Sequence, residues 1–192
     1  MYKRQGFLSV VLWPILPRPM AVIAGSLFAA ATGLGFLRDW LVVSGTLDPV
    51  TLRYLQAQRF LYRTFAITLP PLWRLVLLLA TISMFRAAVP IITPAAWQAL
   101  IASWGVPAAA FFATVIALIG LVGTPLVSLG IWPRALSVAL TLPIGFDIAT
   151  RGLHWDNGLA LVSVVFIQLF GPGPYALRPV EERFIFRRLG EQ

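Results

Sequence analysis

Three residues in the last third of the chain carry side chains that could handle protons or hold a ligand: Asp147, Arg151 and His154. Their spacing is i, i+4 and i+7, so a helix that continues from Asp147 to His154 places all three on one face. Asp147 could accept a proton, and His154 could shuttle one near neutral pH. Arg151 could hold a carbonyl or anionic group. We therefore take Asp147 and His154 as candidate catalytic residues and Arg151 as a candidate ligand-binding residue.

The composition of the chain indicates whether its surroundings are water or lipid. Hydrophobic residues make up 59% of the 192 residues and charged residues only 11%, against about 25% charged in a soluble domain. The net charge of +8 comes from single arginines at the ends of apolar runs, a pattern typical of membrane proteins and unlike a nucleic-acid patch. The chain has no cysteine and one histidine. Thiolate metal sites, iron–sulfur clusters and a haem held by two histidines are therefore excluded within it.

Apolar runs of membrane-spanning length predict an all-α, multi-pass bundle with five spans. A bilayer core of about 30 Å needs about 20 helical residues, and the last run is shorter than that, which places His154 and Asp156 at an interface. Small residues four apart predict faces for close helix packing, one at Gly25, Ala29 and Gly33 and another at Ala109, Ala113 and Ala117. The predicted spans are Met20–Leu37, Leu72–Ile92, Val106–Ile131, Arg134–Arg151 and Asn157–Phe170.

Two segments between the spans have a different character. Residues 48–71 alternate arginines with aromatic and aliphatic residues, which favours a cytoplasmic amphipathic connector, with or without lipid contact, that Asp48 caps and Pro49 begins. A short helix is predicted between Thr93-Pro94 and Gly105, with Trp97 and Trp104 at the membrane interface.

The two termini suggest an orientation and an N-terminal artefact. Met1–Gln5 matches the translation of a transposon-end adaptor, so we interpret it as a sequence-assembly artefact before an N-terminal region 6–47 that holds the first span. Gly171-Pro-Gly-Pro174 stops the last helix, and a basic tail follows over 179–192. With the C-terminus inside, ten arginines fall on the cytoplasmic side and three outside, as the positive-inside rule requires. The outer three are Arg18, Arg86 and Arg151.

Three other polar residues are candidates for ligand binding: Asp156 and Arg86, predicted on the outer side with the cluster, and Gln168 in the last helix. Structural alternatives stand beside each functional hypothesis. Asp147 and Arg151 could form only an interfacial salt bridge, His154 could anchor at lipid headgroups, and Gln168 could join two helices by a hydrogen bond. No metal site is predicted.

The last four spans, over 72–178, resemble the DoxX family of small bacterial membrane proteins. The match rests on Met84-Phe-Arg86 at the end of the first of these spans, the hairpin Pro94–Trp104, Gly130-Ile-Trp-Pro-Arg134, and the terminal Gly-Pro-Gly-Pro-Tyr-Ala-Leu. Gly171, Gly173 and Leu177 match the family ending Gly-x-Gly-x-x-Ser-Leu-Asp, whereas Ala176 and Arg178 replace its Ser and Asp. The family's second helix commonly holds a Glu, and no acidic residue occurs here between Asp48 and Asp147.

The resemblance implies a four-helix core with one extra N-terminal span, in the bacterial inner membrane, with a cytoplasmic C-terminus. It also implies a small redox-associated subunit that meets a quinone or a partner oxidoreductase at its outer face. A non-catalytic scaffold or assembly factor is the alternative, and a small-solute transporter is the third hypothesis. The residues alone do not decide whether the chain is catalytic.

Overall fold

The computed structural model describes residues 17–87, 95–173 and 175–177. The predictions for Met1–Gln5, for the start of region 6–47, for a helix beginning at Thr93-Pro94 and for the basic tail 179–192 lie outside these ranges.

Within the described ranges the chain is all-helical and has no strand, which confirms the predicted fold class at this level. The described residues form seven α-helices: α1 (Arg18–Val43), α2 (Leu52–Tyr62), α3 (Leu69–Ala87), α4 (Ala95–Ser103), α5 (Ala109–Leu129), α6 (Pro133–Arg151) and α7 (Trp155–Phe170), with a π-helical segment (Arg63–Thr68) between α2 and α3.

Three of these stretches are long and apolar enough to cross a bilayer: α1, the continuous helix Leu52–Arg86, and α5. At 1.5 Å per residue, α5 is about 31 Å long, which matches a bilayer core. The apolar helix α7 has 16 residues, or about 24 Å. These lengths and compositions are those of a membrane protein.

The predicted connector and the span after it form one helix, because the π-helical segment joins α2 to α3 without a break. The prediction that Asp48 caps a helix beginning at Pro49 is wrong, since α2 begins at Leu52 after an extended Thr51. The Asp48 carboxylate instead accepts a hydrogen bond from the Val50 amide at 3.0 Å, which closes a local turn of the kind that competes with helix.

Four helices form a closed ring of contacts, in which α3 and α6 each pack against both α5 and α7. Small residues let them approach closely. Ala113 and Ala117 of α5 are buried, as their spacing predicted. A Cβ atom on Gly120 would lie 2.5 Å from the Phe85 ring, so α3 and α5 approach closely here and a larger residue would require the ring to move.

The short helix α4 packs against one end of this ring. Trp97 is 1% exposed and its ring centroid lies 6.0 Å from that of Phe146 in α6 and 6.3 Å from that of Phe85 in α3. The prediction of Trp97 as a membrane-interface residue is therefore wrong, because its indole fills the gap between helices. Trp104 is half exposed, as an interface residue should be.

Among the described residues, helix α1 contacts the ring mainly through α7. Met20 and Ala24 are its buried residues, and most of the helix beyond them is exposed. A Cβ atom on Gly33 would have nothing within 4 Å. The predicted packing face at Gly25, Ala29 and Gly33 is therefore uncovered over Ala29 and Gly33.

Candidate functional site: an ionic cluster where α6 meets α7

The predicted chemical residues lie where α6 ends and α7 begins, which we call the cluster end of the ring. Helix α6 stops at Arg151 because Gly152 takes a φ of 83°, a conformation that glycine adopts readily. The helix does not continue to His154, which instead precedes the first residue of α7 in an extended conformation. The predicted single face of Asp147, Arg151 and His154 is therefore wrong for His154 and correct for the other two.

Arg151 bridges two carboxylates from different helices. Its Nε lies 3.1 Å from Oδ1 of Asp147, one helical turn earlier, and its Nη2 donates to Oδ2 of Asp156 at 2.9 Å. The Asp147 side chain is fully buried, whereas 23% of the Arg151 side chain remains exposed. The predicted Asp147–Arg151 salt bridge is confirmed, and Asp156 joins it as expected.

Asn157, which the sequence analysis missed, completes the network. It is fully buried, and its Nδ2 donates to Oδ2 of Asp147 and to the Gly152 carbonyl, both at 2.9 Å. Its Oδ1 accepts from the His154 amide at 2.8 Å. One side chain therefore joins α6, the turn and α7. The only sequence signal was an Asn three residues after His154, the spacing of a reciprocal helix cap.

The cluster holds two carboxylates and one guanidinium, so its formal charge is −1. The N-terminus of α7 offsets part of this charge, because Asp156 lies in its first turn and accepts from the Asn157 amide at 2.9 Å. Arg151 Nε and Asp147 Oδ1 are close but not aligned for a hydrogen bond. A buried site with more carboxylates than cations is suited to taking up a proton.

His154 is exposed beside this network. Its ring Nδ1 lies 3.2 Å from the Gly152 carbonyl, and its backbone amide donates to Oδ1 of Asn157. The imidazole is therefore placed where it could exchange protons with the surroundings of the cluster.

The structure does not bring Arg86 or Gln168 into the cluster. Arg86 is exposed on α3 and lines a separate cavity against α5. Gln168 is buried in α7, but it lies eleven residues after Asn157, or about 16 Å along the helix. Among the described residues no group of histidine and acidic side chains is arranged to hold a metal ion.

The glycine motif residues meet at the opposite end of the ring, which we call the motif end. Gly130 has a φ of 77°, and a Cβ atom there would lie 2.5 Å from Cα of Ala176. The Leu177 amide donates to the Leu129 carbonyl at 3.1 Å. Arg134 is buried at the start of α6. Gly171 and Gly173 also have positive φ angles, so these glycines shape the turns that bring the C-terminal segment back onto the end of α5.

Comparisons with known protein families, with characterised proteins and with solved structures give no match for this chain.

Proposed function

We propose that this chain is a DoxX-like protein of the bacterial inner membrane. The ring of α3, α5, α6 and α7 would be its four-helix core, α1 the extra N-terminal span, and the C-terminus cytoplasmic. Two features support this: the pairwise contacts that close the ring, and the excess of arginines on the side assigned to the cytoplasm. The orientation puts the cluster end at the outer face.

For the cluster end, the function we propose is that of a small redox-associated subunit which meets a quinone or a partner oxidoreductase. The observation that carries the proposal is the net negative charge of the Asp147–Arg151–Asp156 network next to the partly exposed Arg151 and the exposed His154. Quinones exchange protons when they are reduced or oxidised. A buried carboxylate beside an exposed imidazole is a suitable pair for that exchange.

Arg151, His154 and Asp147 would each have a separate role in the cluster. The exposed part of the Arg151 guanidinium would donate a hydrogen bond to a quinone carbonyl. His154 would exchange the proton with the ligand or with solvent, and Asp147 would hold it within the network. The electrons would come from the partner, and this chain would bind, orient and handle the proton.

Quinone binding by the purified protein in lipid nanodiscs tests this proposal. Asp147→Asn removes the excess charge with little change of shape, and His154→Ala removes the exposed imidazole. Ser163→Ala, in α7 but away from the cluster, is the matched control. We expect weaker binding in both cluster variants and unchanged binding in the control. Binding equal to that of the unaltered chain in both cluster variants would eliminate the site.

A non-catalytic scaffold is the second candidate, and the exposure of α1 favours it. Most of this apolar helix beyond Ala24 is exposed, so it offers a face to another membrane protein. Gly33→Leu tests this role, because no described residue lies within 4 Å of the new Cβ atom. A scaffold predicts that the variant loses its co-purifying complex while its unfolding temperature stays the same. A complex that survives the change argues against docking through this face.

A further inference from the structure

A groove runs along the seam between α3 and α5, on the far side of α3 from the ionic cluster's helix pair. It begins as a cavity of about 360 Å³ lined by Thr81, Phe85, Arg86 and Thr124, among others. A second cavity of about 470 Å³ continues it toward Arg74 and Leu129. Leu78 and Pro125 border both cavities, so the two lie next to each other along the helices.

Two threonines that line the first cavity have hydroxyls with no hydrogen-bond partner among the described residues. Thr81 is 5% exposed and Thr124 is 2% exposed, and both Oγ1 atoms are unpaired. Other threonines of the chain satisfy their hydroxyls on a carbonyl of the preceding turn, as Thr114 does with Ala110 at 2.8 Å and Thr150 with Phe146 at 2.9 Å. An unpaired buried hydroxyl costs about 1–3 kcal/mol. In a bilayer core no water is available to pair it.

The mouth of the groove faces outward between apolar side chains. Ile82 and Leu121 at the first cavity, and Leu75 and Leu129 at the second, are each about half exposed. In a helix that crosses a bilayer, side chains in such positions contact lipid tails. A long apolar ligand could therefore enter sideways from the membrane and lie along the seam.

Arg86 places a positive charge at one end of the groove. It lies five residues after Thr81 on α3, or about 7.5 Å along the helix axis, and its side chain is exposed. The groove thus presents, in order, a guanidinium, two threonines and a mostly apolar stretch that reaches Arg74 and Ser128 at its far end. A phospholipid carries the complementary groups in the same order: an anionic phosphate, ester carbonyl acceptors and an acyl chain.

We propose that the α3–α5 groove is a binding site for one phospholipid from the leaflet at the Arg86 end. Arg86 holds the phosphate, Thr81 and Thr124 donate hydrogen bonds to ester carbonyls, and one acyl chain lies along Leu78 and Pro125 toward Leu129. The site depends on α3 and α5 crossing a bilayer, and it is independent of the quinone proposal. Arg–phosphate and hydroxyl–carbonyl contacts suit an anionic lipid such as phosphatidylglycerol.

Valine substitution tests the hydroxyls without changing side-chain shape. In the double variant Thr81→Val/Thr124→Val two donors to the lipid are lost, so we expect phosphatidylglycerol to bind at least about tenfold more weakly. Thr114→Val on α5 is the control, because its hydroxyl is already paired within its own helix. The readouts are native mass spectrometry of retained lipid and the rise in unfolding temperature on adding phosphatidylglycerol to protein in detergent.

Stability measured without lipid separates the lipid-binding role of the threonines from a purely structural one, and the lipid-binding role makes the following prediction. Because their hydroxyls are unpaired and buried, the double variant should unfold at the same or a higher temperature than the unaltered chain in lipid-free detergent, yet lose the lipid-dependent rise. Arg86→Gln should weaken phosphatidylglycerol binding while leaving unchanged the binding of diacylglycerol, which has the same ester carbonyls but no phosphate. If the double variant Thr81→Val/Thr124→Val retains as much lipid as Thr114→Val, the proposal is overturned. Displacement of the lipid by a short-chain ubiquinone whose own binding requires the two hydroxyls would also overturn it, because the groove would then be a quinone site.

Discussion

Replacing Asn157 by alanine should destabilise the protein more than any comparable truncation in α7. The side chain is fully buried and makes three hydrogen bonds, one of them to the Asp147 carboxylate. A bond to a charged group contributes about 1.5–3 kcal/mol and a neutral one about 0.5–1.5 kcal/mol. The three bonds together give an expected loss of about 4 kcal/mol in the free energy of unfolding. The change also leaves Asp147 and the Gly152 carbonyl without this donor.

The assay is reversible unfolding in mixed detergent micelles, followed by the fluorescence of the chain's seven tryptophans. Ser163→Ala is the matched control, since Ser163 is equally buried in the same helix but makes one local bond, to the Leu159 carbonyl at 2.7 Å. We expect that control to lose less than about 1 kcal/mol. If Asn157→Ala loses no more stability than Ser163→Ala, the network does not join α6 to α7 as described, and the reasoning fails.

The remaining predictions concern the charges of the cluster and the turn at the motif end. Arg151→Gln should lower the free energy of unfolding by about 2–3 kcal/mol, because it leaves two carboxylates without their counter-charge; the loss is somewhat smaller than for a fully buried pair. Asp147→Asn should lower it by about 1 kcal/mol or less. Equal losses in the same unfolding assay would contradict the bridging role of Arg151. Gly130→Ala should destabilise by about 2–3 kcal/mol and increase amide exchange at Leu177, since the new methyl group meets Ala176 at 2.5–2.6 Å in a backbone with φ of 77°. Gly45→Ala measures the cost of a positive φ angle alone, because Gly45 has φ of 73° and no described residue within 4 Å. If it loses as much stability as Gly130→Ala, the contact with Ala176 has no effect.

Helical periodicity predicted what lies within one helix. The four-residue spacing of Asp147 and Arg151 anticipated their ion pair, and the spacing of Ala113 and Ala117 anticipated a buried face. Both depend only on the 3.6-residue repeat. The predicted span Arg134–Arg151 ends at the same residue as α6, but the single face required the helix to continue past Gly152, a common stop signal. Weighing that glycine would have removed His154 from the predicted face.

Contacts between elements were less accessible from the sequence. Asn157 lies next to Asp147 because α7 folds back against α6, and a ten-residue separation with a turn between carries no periodic signal. Trp97 was assigned to the lipid interface because composition does not distinguish a membrane surface from a gap between helices, where an indole also packs well. The unpaired hydroxyls of Thr81 and Thr124 are visible only once α3 and α5 are placed side by side.

Cysteine accessibility can show whether the ionic cluster lies at the outer end of a membrane-spanning bundle. The chain has no native cysteine, so His154→Cys at the cluster end and Thr46→Cys in the turn after α1 each introduce a single thiol at an exposed position. A membrane-impermeant maleimide should label His154→Cys in intact spheroplasts and should label Thr46→Cys only after permeabilisation. Labelling of both in intact spheroplasts, or the reverse pattern, would contradict this placement.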